Sequence, residues 1–520
     1  MDASALLSKL RAGGRDALAR RFGIDARALA ALRISLGVLL LADLALRSRH
    51  LVAFYTDAGV LPTAVLREQA PGLARLSLHA LSGAAWVQVA LFLIAAAFAL
   101  ALLVGYRTTP VAVASWVLLV SLHARNPVVL NAGDSILRRL LFWGLFLPLG
   151  HRWSIDALRR GGVRGNASDR RDADSGPRVA SAASAALLFQ VVIIYAVNAA
   201  FKLRVGRSWE SGEAIRYVFS LDRLTVLLGD YLAQYPTLLG FADRVWLGLL
   251  VTSVLLVVLT GRARAAFASL FVGMHLGMAL TMRLGIFPLV SAAALLAFLP
   301  PSVWDAVERR ASPRVRRLVD ATGLGGRFDR SRSNRPRGSS AGAFALPAVI
   351  GRWKRRLGTG VVVTLLALVL VWNASTLGVV AAPAGSAAVA DPGEHRWDMF
   401  AEPAKADGWY VVPGRLESGE KVDAFRDAPV QWDHPSDAAL TYPSVRWYSY
   451  LMDFQRARDT ELAADFTANF GAYLCGRWDA RHDSDLESLT FYYVEQPTRF
   501  DGPEPTHRVE LGRYDCGSGA

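Results

Sequence analysis

The feature that most constrains this chain is a series of apolar segments, each close to the length that crosses a lipid bilayer as a helix. About 20 mostly apolar residues are needed for a hydrocarbon core of roughly 30 Å. Nine segments approach this length: residues 30–47, 83–104, 108–124, 134–150, 180–202, 243–260, 264–282, 285–303 and 359–381. The pattern predicts an all-α polytopic membrane bundle of about nine transmembrane helices, and the hydrophobic content of 53% agrees with it.

The placement of arginine predicts the orientation of this bundle. The N-terminal segment, the turns "GYRTT" and "TGRARA" and the loops 151–179 and 304–358 are basic, and nine spans would put all of them on one side. Because cytoplasmic loops carry an excess of arginine and lysine, this side is the cytoplasm. We therefore expect a multi-pass cell-membrane protein with its N-terminus inside and its C-terminus outside. The net charge of +14 follows from this orientation and does not indicate nucleic-acid binding.

Five regions follow from this topology. Residues 1–29 form an amphipathic cytoplasmic segment, 30–303 a membrane domain of eight spans, 304–358 a basic disordered cytoplasmic linker, 359–381 the ninth span and 382–520 an acidic exoplasmic domain. The last region carries 13 basic and 24 acidic residues. Its strand-like stretches, such as "GWYVVPGRL" and "LTFYYVEQ", flank a helical stretch, so we expect a small α+β fold. The linker is expected to be a solvated loop near anionic lipid headgroups.

Both cysteines, Cys475 and Cys516, lie in this C-terminal domain. An exoplasmic location is oxidising, which favours a disulfide between them, although two unpaired thiols are the alternative.

Ionisable residues within apolar spans are functional candidates by default, because burying them in a membrane is costly. The topology places the following candidates in the outer half of the membrane: Asp43, Arg47, His123, Asp134, Arg138, Lys202 and His275. Asp43 with Arg47, and Asp134 with Arg138, are four residues apart, so structural salt bridges are an alternative to catalysis. An interfacial position is the simpler explanation of His123, and hydrogen bonding within the bundle is the alternative to a substrate role for His275. Neither histidine lies in a ligand grouping at familiar spacing, so no metal site is predicted.

Lys202 is one of only five lysines among 58 basic residues. It shares a helical stripe with Tyr195 and Asn198, because the three are spaced 0, 3 and 7. A buried lysine can lose its proton whereas arginine cannot, so this residue type is what a general base requires. The alternative is a cation at a helix end that extends to the membrane surface.

Three stretches carry a resemblance to a known family. They are "LRISLGVLLLADLALRSRHLVAFYTDAGVLP", "RNPVVLNAGDSILRRLLFWGLFLPLGHRWSIDA" and "YAVNAAFKLRVGRSWESGEAIRYV". Together they resemble the horizontally transferred transmembrane (HTTM) domain family, which is related to vitamin K-dependent gamma-glutamyl carboxylase. The resemblance covers roughly residues 25–305.

The resemblance implies quinone chemistry at the outer membrane face. Lys202 matches the family's base, which takes a proton from reduced vitamin K or another hydroquinone, with O2 and CO2 as co-substrates of carboxylation. Trp209 matches a family tryptophan, although two extra residues separate it from the lysine, and Asp134 stands where the carboxylase has a histidine. The remaining residues expected to bind the quinone or substrate are Tyr195, Asn198, Arg138 and His275.

The expected partners are membrane lipids and an exoplasmic protein or peptide substrate. The alternative to an enzyme is a non-catalytic lipid-binding or membrane assembly protein. A transporter is the third reading, although the spans show no inverted repeat.

Overall fold

The structure, a computed structural model, describes residues 13–14, 16–161, 178–321, 348–381 and 396–519. Parts of the predicted N-terminal segment and of the linker 304–358 lie outside these residues. The longer helices before the C-terminal domain are α1 (Ala26–Ser48), α2 (Ala85–Val104), α3 (Thr108–Arg125), α4 (Ala132–Gly144), α5 (Ala182–Val205), α6 (Pro236–Val251), α7 (Gly261–Thr281), α8 (Phe287–Leu295), α9 (Pro301–Ala321) and α10 (Ala348–Thr376). A two-stranded pairing of β1 (Ile24–Asp25) with β2 (Arg178–Val179) joins the starts of α1 and α5.

Short helices connect these elements. They are Leu51–Tyr55, Thr63–Gln69, Pro71–Leu76, Leu78–Ala80, Ile155–Gly161, Arg207–Ser211, Ala214–Phe219, Gly229–Ala233, Leu255–Val258 and Leu296–Phe298.

In the part of the chain that the structure describes, five helices are long and apolar enough to cross a membrane: α1, α2, α5, α7 and Leu357–Thr376 of α10. A sixth span results if α8 and its following turn count together with α9, although the two parts meet at 107°. The predicted spans 134–150 and 243–260 correspond to shorter helices, because α4 has 13 residues and α6 has 16. At about 1.5 Å per residue, α4 is only about 20 Å long, too short to cross the hydrocarbon alone.

Burial distinguishes the central helix from the outer ones. In the 18-residue apolar stretch of α5, 72% is buried inside the protein. The corresponding share is 22% in α2 and α7 and 11% in the apolar part of α10. The outer helices therefore present apolar faces to their surroundings, as helices in contact with lipid do. Lys202 lies on the most enclosed of the candidate spans.

Buried arginines mark one end of the bundle. Arg33 of α1 donates to the carbonyls of Leu102 and Leu103 at the end of α2, so these helices run antiparallel. Arg27 forms ion pairs with Asp305 and Glu308 of α9. This end of the molecule therefore gathers the start of α1, the end of α2 and the start of α9.

The prediction that residues 304–358 form a disordered linker is wrong at both of its ends. Residues 304–321 belong to α9, and α10 already begins at Ala348. The ion pairs of Arg27 hold the start of α9, and Trp304 packs against Trp153 with 5.9 Å between the ring centroids. The arginine-rich composition of this region indicated a disordered linker and did not predict these contacts.

The C-terminal domain is the α+β unit that the sequence predicts. Its strands are β3 (Ala406–Val411), β4 (Pro413–Leu416), β5 (Lys421–Asp423), β6 (Ala428–Pro429), β7 (Leu486–Pro497) and β8 (His507–Asp515), and its main helices are α11 (Val445–Ala457) and α12 (Leu462–Asp479). The long strand β7 pairs with β8 on one side and with both β3 and β4 on the other, and β5 and β6 extend the sheet beyond β4. Short turns of helix occupy Ala438–Leu440 and Cys516–Gly519. A disulfide joins Cys475 of α12 to Cys516.

The C-terminal domain shares its core with the bundle. One apolar cluster contains residues from the sheet and its helices together with residues from α1, α2, α3 and the connection after α1. Its bundle members include Leu44, Phe54, Phe92, Leu122 and Val129, and its C-terminal members include Tyr410, Phe454, Phe470 and Phe491. The domain is therefore packed on one end of the bundle, opposite the end that Arg27 and Arg33 mark.

Candidate functional site

Lys202 lies near the end of α5 and is only 1% exposed. Its Nζ donates hydrogen bonds to the backbone carbonyls of Met399, at 3.0 Å, and of Phe400, at 2.5 Å. The same nitrogen lies 3.8 Å from the centroid of the Trp209 ring. These close partners are all uncharged, and no carboxylate among the described residues forms an ion pair with this lysine.

Residues 396–402, which we call the strap, cover Lys202. Asn198, one turn before Lys202 on α5, donates from its amide to the carbonyls of Trp397 and Met399 at 3.2 and 2.9 Å. The indole of Trp209 donates to the carbonyl of Phe400 at 2.8 Å. The stripe of Asn198 and Lys202 that the sequence predicts therefore binds backbone of the C-terminal region.

The strap is held at two further points. Phe400 has a φ of +52°, a left-handed conformation that costs a non-glycine residue on the order of 1–3 kcal/mol. Its carbonyl accepts from both Lys202 and Trp209, which offsets part of this cost. After it, the Glu402 carboxylate accepts from the hydroxyl of Ser208 at 2.6 Å and pairs with Lys405 at 3.1 Å. Burial raises the pKa of Glu402, but these hydrogen bonds outweigh it and leave the pKa below its ordinary value.

Tyr195 and His275 form a second group, deeper in the bundle. The Tyr195 hydroxyl lies 2.9 Å from Nε2 of His275, so α5 and α7 are joined by a buried hydrogen bond. Trp246 and Phe271 surround the pair, with ring centroids 5.5 Å from His275 and 4.8 Å from Tyr195, respectively. Nδ1 of His275 is buried, and no described residue forms a hydrogen bond with it.

A third group is a fully buried network that we call the ionic cluster: Asp43, Arg47, His123, Asp134 and Arg446. Arg47 pairs with Asp43 at 2.7 Å and with Asp134 at 2.6 Å. Arg446, from α11 of the C-terminal domain, bonds Asp43 at 2.8 Å and both oxygens of Asp134. His123 lies 3.7 Å from Asp134. The cluster therefore joins α1, α3 and α4 to the C-terminal domain.

The ends of helices explain why Asp134 stands where it does. Asn131 caps α4 by accepting from the backbone N–H of Asp134, and the Asp134 carboxylate accepts in return from the N–H of Asn131 at 2.8 Å. This capping box also places a carboxylate at the positive end of the helix dipole. Asp134 therefore caps the start of α4 and also forms ion pairs with Arg47 and Arg446.

Charge balance argues against a metal in the ionic cluster. The donor atoms of Asp43, His123 and Asp134 lie close enough together to hold a cation. Each of the four carboxylate oxygens, however, already accepts a hydrogen bond from Arg47 or Arg446. Two carboxylates and two guanidiniums compensate each other, so the cluster has little affinity left for a further cation.

The predicted site residues therefore fall into three groups. Lys202, Asn198 and Trp209 meet under the strap, Tyr195 meets His275, and Asp134 meets His123. The salt bridge expected between Asp43 and Arg47 is formed. The prediction of a salt bridge between Asp134 and Arg138 is wrong, because Asp134 binds Arg47 and Arg446 instead. A guanidinium nitrogen of Arg138 lies 3.2 Å from Nδ1 of His123.

Two kinds of participant escaped the sequence reasoning. Arg446 lies more than 300 positions from Asp134 in the chain, and as one of several charged residues of the amphipathic helix α11 it carries no sequence signal that points to this contact. The hydrogen-bond acceptors of Lys202 are backbone carbonyls, which every residue carries and which leave no trace in a sequence.

His123 reaches Asp134 from the preceding helix, so a histidine does lie beside the position where the family resemblance lacks one.

No family model, curated protein or solved structure matches this chain. The HTTM resemblance therefore stays a prediction that rests on the three quoted stretches.

Proposed function

We propose that this chain is an HTTM-type membrane enzyme in which Lys202 acts as the base toward a reduced quinone, at the membrane face that carries the C-terminal domain. The observation that carries the proposal is the environment of Lys202: an amine on the central helix, buried among carbonyls and a tryptophan ring, with no ion-pair partner among the described residues. A lysine in such surroundings can exchange its proton, which a salt-bridged arginine cannot.

The surrounding residues fit a flat, apolar ligand that carries hydroxyl groups. Tyr195, Trp246 and Phe271 form an aromatic wall around His275. In this proposal Nδ1 of His275, which is buried without a hydrogen-bond partner among the described residues, would bind a ligand oxygen. A bound hydroquinone would supply an acidic hydroxyl proton and two reducing electrons.

In this proposal Lys202 holds and moves one proton. The neutral amine takes a hydroxyl proton with its lone pair, so an N–H bond forms as the O–H bond breaks. The resulting ammonium is stabilised by the carbonyls of Met399 and Phe400 and by the face of Trp209. Because the strap lies against this amine, the ligand can reach it only when the strap moves.

The nine spans and their orientation belong to the same proposal. The end of the bundle that gathers Arg27 and Arg33 would face the cytoplasm, which agrees with the positive-inside rule. The acidic C-terminal domain would lie outside, where its disulfide is stable. The shorter helices α4 and α6 would complete their spans with the segments that follow them.

The test is consumption of a reduced naphthoquinone by purified full-length protein in lipid nanodiscs, followed by absorbance. Lys202→Ala and Lys202→Arg should both lose turnover by at least about a hundredfold, the usual scale of general-base catalysis. Lys421→Ala, which removes an exposed lysine of the C-terminal domain, is the matched control and should keep full turnover. Turnover by Lys202→Ala equal to that of wild type would refute the role.

The second candidate function is non-catalytic: Lys202 anchors the strap and thereby the C-terminal domain in a membrane assembly protein. The observation that favours it is that two hydrogen bonds and the cation–π contact of Lys202 all serve to fix residues 399–400 and Trp209. An anchor needs only a long cation, so Lys202→Arg would then keep the unfolding temperature while Lys202→Ala lowers it. A base instead requires that Lys202→Arg folds normally and is inactive.

A further inference from the structure

A cavity of about 390 Å³ lies between the bundle and the C-terminal domain. One wall comes from the connections after α1 and α3, including Leu61 and Asn126, and the other from α11 and α12, including Tyr450, Asp453 and Phe466. This volume is within the range of small-molecule sites in proteins. Lys202 and the ionic cluster do not line it, so the Lys202 proposal leaves this cavity unexplained.

Two buried polar atoms of residues lining this cavity have no hydrogen-bond partner among the described residues. The amide oxygen of Asn126, a residue with 0% exposure, accepts no hydrogen bond from any described residue. The hydroxyl of Tyr450, a residue with 2% exposure, forms no hydrogen bond with them either. The orientation of the Asn126 amide is fixed, because its nitrogen donates to the carbonyl of Phe54 at 3.0 Å. The amide oxygen of Asn126 is therefore an acceptor to which no described residue donates. Unpaired buried polar groups are rare in proteins, and a ligand is one reason for them.

The remaining polar groups make the cavity a place for positive charge. The charged residues of its lining are Asp453, Asp465 and Arg456, so two carboxylates face one guanidinium and negative charge is in excess. Burial raises the pKa of Asp453, although its ion pair with Arg456, at 3.0 Å, opposes this shift. The side chain of Arg456 is 72% exposed. Asp465 accepts from Gln69 at 2.8 Å across the gap between the two walls.

Apolar and aromatic surface completes the walls. Tyr450 and Phe466 lie with ring centroids 5.5 Å apart, and Leu61 faces the cavity from the bundle side. Aromatic faces attract ammonium and guanidinium groups, most strongly where water is excluded. An anion would meet two carboxylates and only one guanidinium, that of Arg456, in this lining. A purely apolar ligand would leave Asn126 and Tyr450 unpaired.

We propose that this cavity binds an organic cation, an ammonium or guanidinium group on an apolar body, with its charge between Asp453, Asp465 and the amide oxygen of Asn126. The group is either a free amine or a basic side chain of a peptide. The proposal is independent of catalysis by Lys202.

Calorimetric titration of the full-length protein in detergent tests it with two probes. Phenethylamine represents the free amine, and a capped Phe-Arg dipeptide amide represents the peptide. At least one should bind saturably, whereas 2-phenylethanol, the neutral counterpart of the amine, should bind at least about tenfold more weakly, or ~1.4 kcal/mol. Phenethylamine alone would identify a small-molecule site and the dipeptide alone a peptide site. Binding of neither probe, or equal binding of the amine and the alcohol, would overturn the proposal.

Matched variants locate the binding. Asp453→Asn keeps the shape of the side chain and should weaken binding about tenfold. Tyr450→Phe, which removes only the unpaired hydroxyl, should weaken it to a smaller extent. Asp459→Asn removes an exposed carboxylate beyond the end of α11 and should leave probe binding unchanged. Because the ion pair of Asp453 with Arg456 is solvent-exposed, its loss should change the unfolding temperature little. Unchanged probe affinity in this folded variant would exclude the cavity as the site.

Discussion

At the scale of single residues, the ionic cluster depends on charges that are separated along the chain. Asp43, Arg47 and Asp134 belong to the bundle, while Arg446 arrives from the C-terminal domain. Breaking a buried ion pair on one side leaves an uncompensated charge, which is far more costly than removing both partners.

Arg446→Met should therefore destabilise the protein by about 3–5 kcal/mol, because Asp43 and Asp134 would share the single guanidinium of Arg47. Adding Asp134→Asn restores the balance of charge, so the double variant should recover part of this loss. Thermal unfolding in detergent measures both. Arg456→Met, an exposed arginine of the same helix, should have no measurable effect. A double variant whose loss equals the sum of the two single losses would show that the charges are not coupled.

The lysine and its neighbours show how far sequence reasoning reached at this scale. The 0, 3, 7 spacing grouped Asn198 with Lys202 correctly, because residues on one helix keep their relative positions. The same stripe placed Tyr195 there too, yet its hydroxyl turns to His275 on α7. Which helices face each other depends on packing across the bundle, and that information is not local in the chain.

At the scale of elements, the strap is the segment on which access to Lys202 depends. Its far end is held by Glu402, whose pKa in the folded protein is below the ordinary value of 4.5. A carboxyl group with a lowered folded pKa contributes stability above its unfolded pKa, and this contribution is lost as the pH falls through the folded pKa.

Glu402→Gln should accordingly lower the unfolding temperature at neutral pH, and the difference from wild type should shrink as the pH falls below 4.5. Thermal unfolding across this pH range measures it. Glu417→Gln, at an exposed position in the turn between β4 and β5, is the control and should differ little from wild type at any pH. A difference for Glu402→Gln that is constant with pH would mean that its charge does not hold the strap.

Most helices and the α+β character of the C-terminal domain were predictable, because periodicity and apolar length are local signals. Helix α9 was not, since arginines dominate its sequence and the contacts of Arg27 and Trp153 that hold its start come from distant segments. The strap was also invisible, because irregular backbone that caps a lysine has no pattern of its own.

At the scale of the whole molecule, the two ends differ in charge and in partners. Basic residues gather at the end that holds the starts of α1 and α9, and the acidic C-terminal domain covers the other end. The proposed orientation therefore makes a prediction about the two sides of the membrane.

Single cysteines at two exposed serines test this orientation in intact cells. Ser418→Cys, in the C-terminal domain, should react with a membrane-impermeant maleimide, whereas Ser302→Cys, at the start of α9, should react only after lysis. The native cysteines are bonded to each other and give no background. Labelling of Ser302→Cys before lysis would reverse the proposed topology.

The contacts of Arg446 also bear on how the molecule is made. Synthesis proceeds from the N-terminus, so α1 and α4 are complete long before residue 446 leaves the ribosome. Until then, Asp43 and Asp134 lack one of the two guanidiniums that bond them in the finished protein. A chain whose C-terminal domain fails to fold keeps that uncompensated charge between its helices, which gives cellular quality control a feature by which to distinguish unfinished molecules from finished ones.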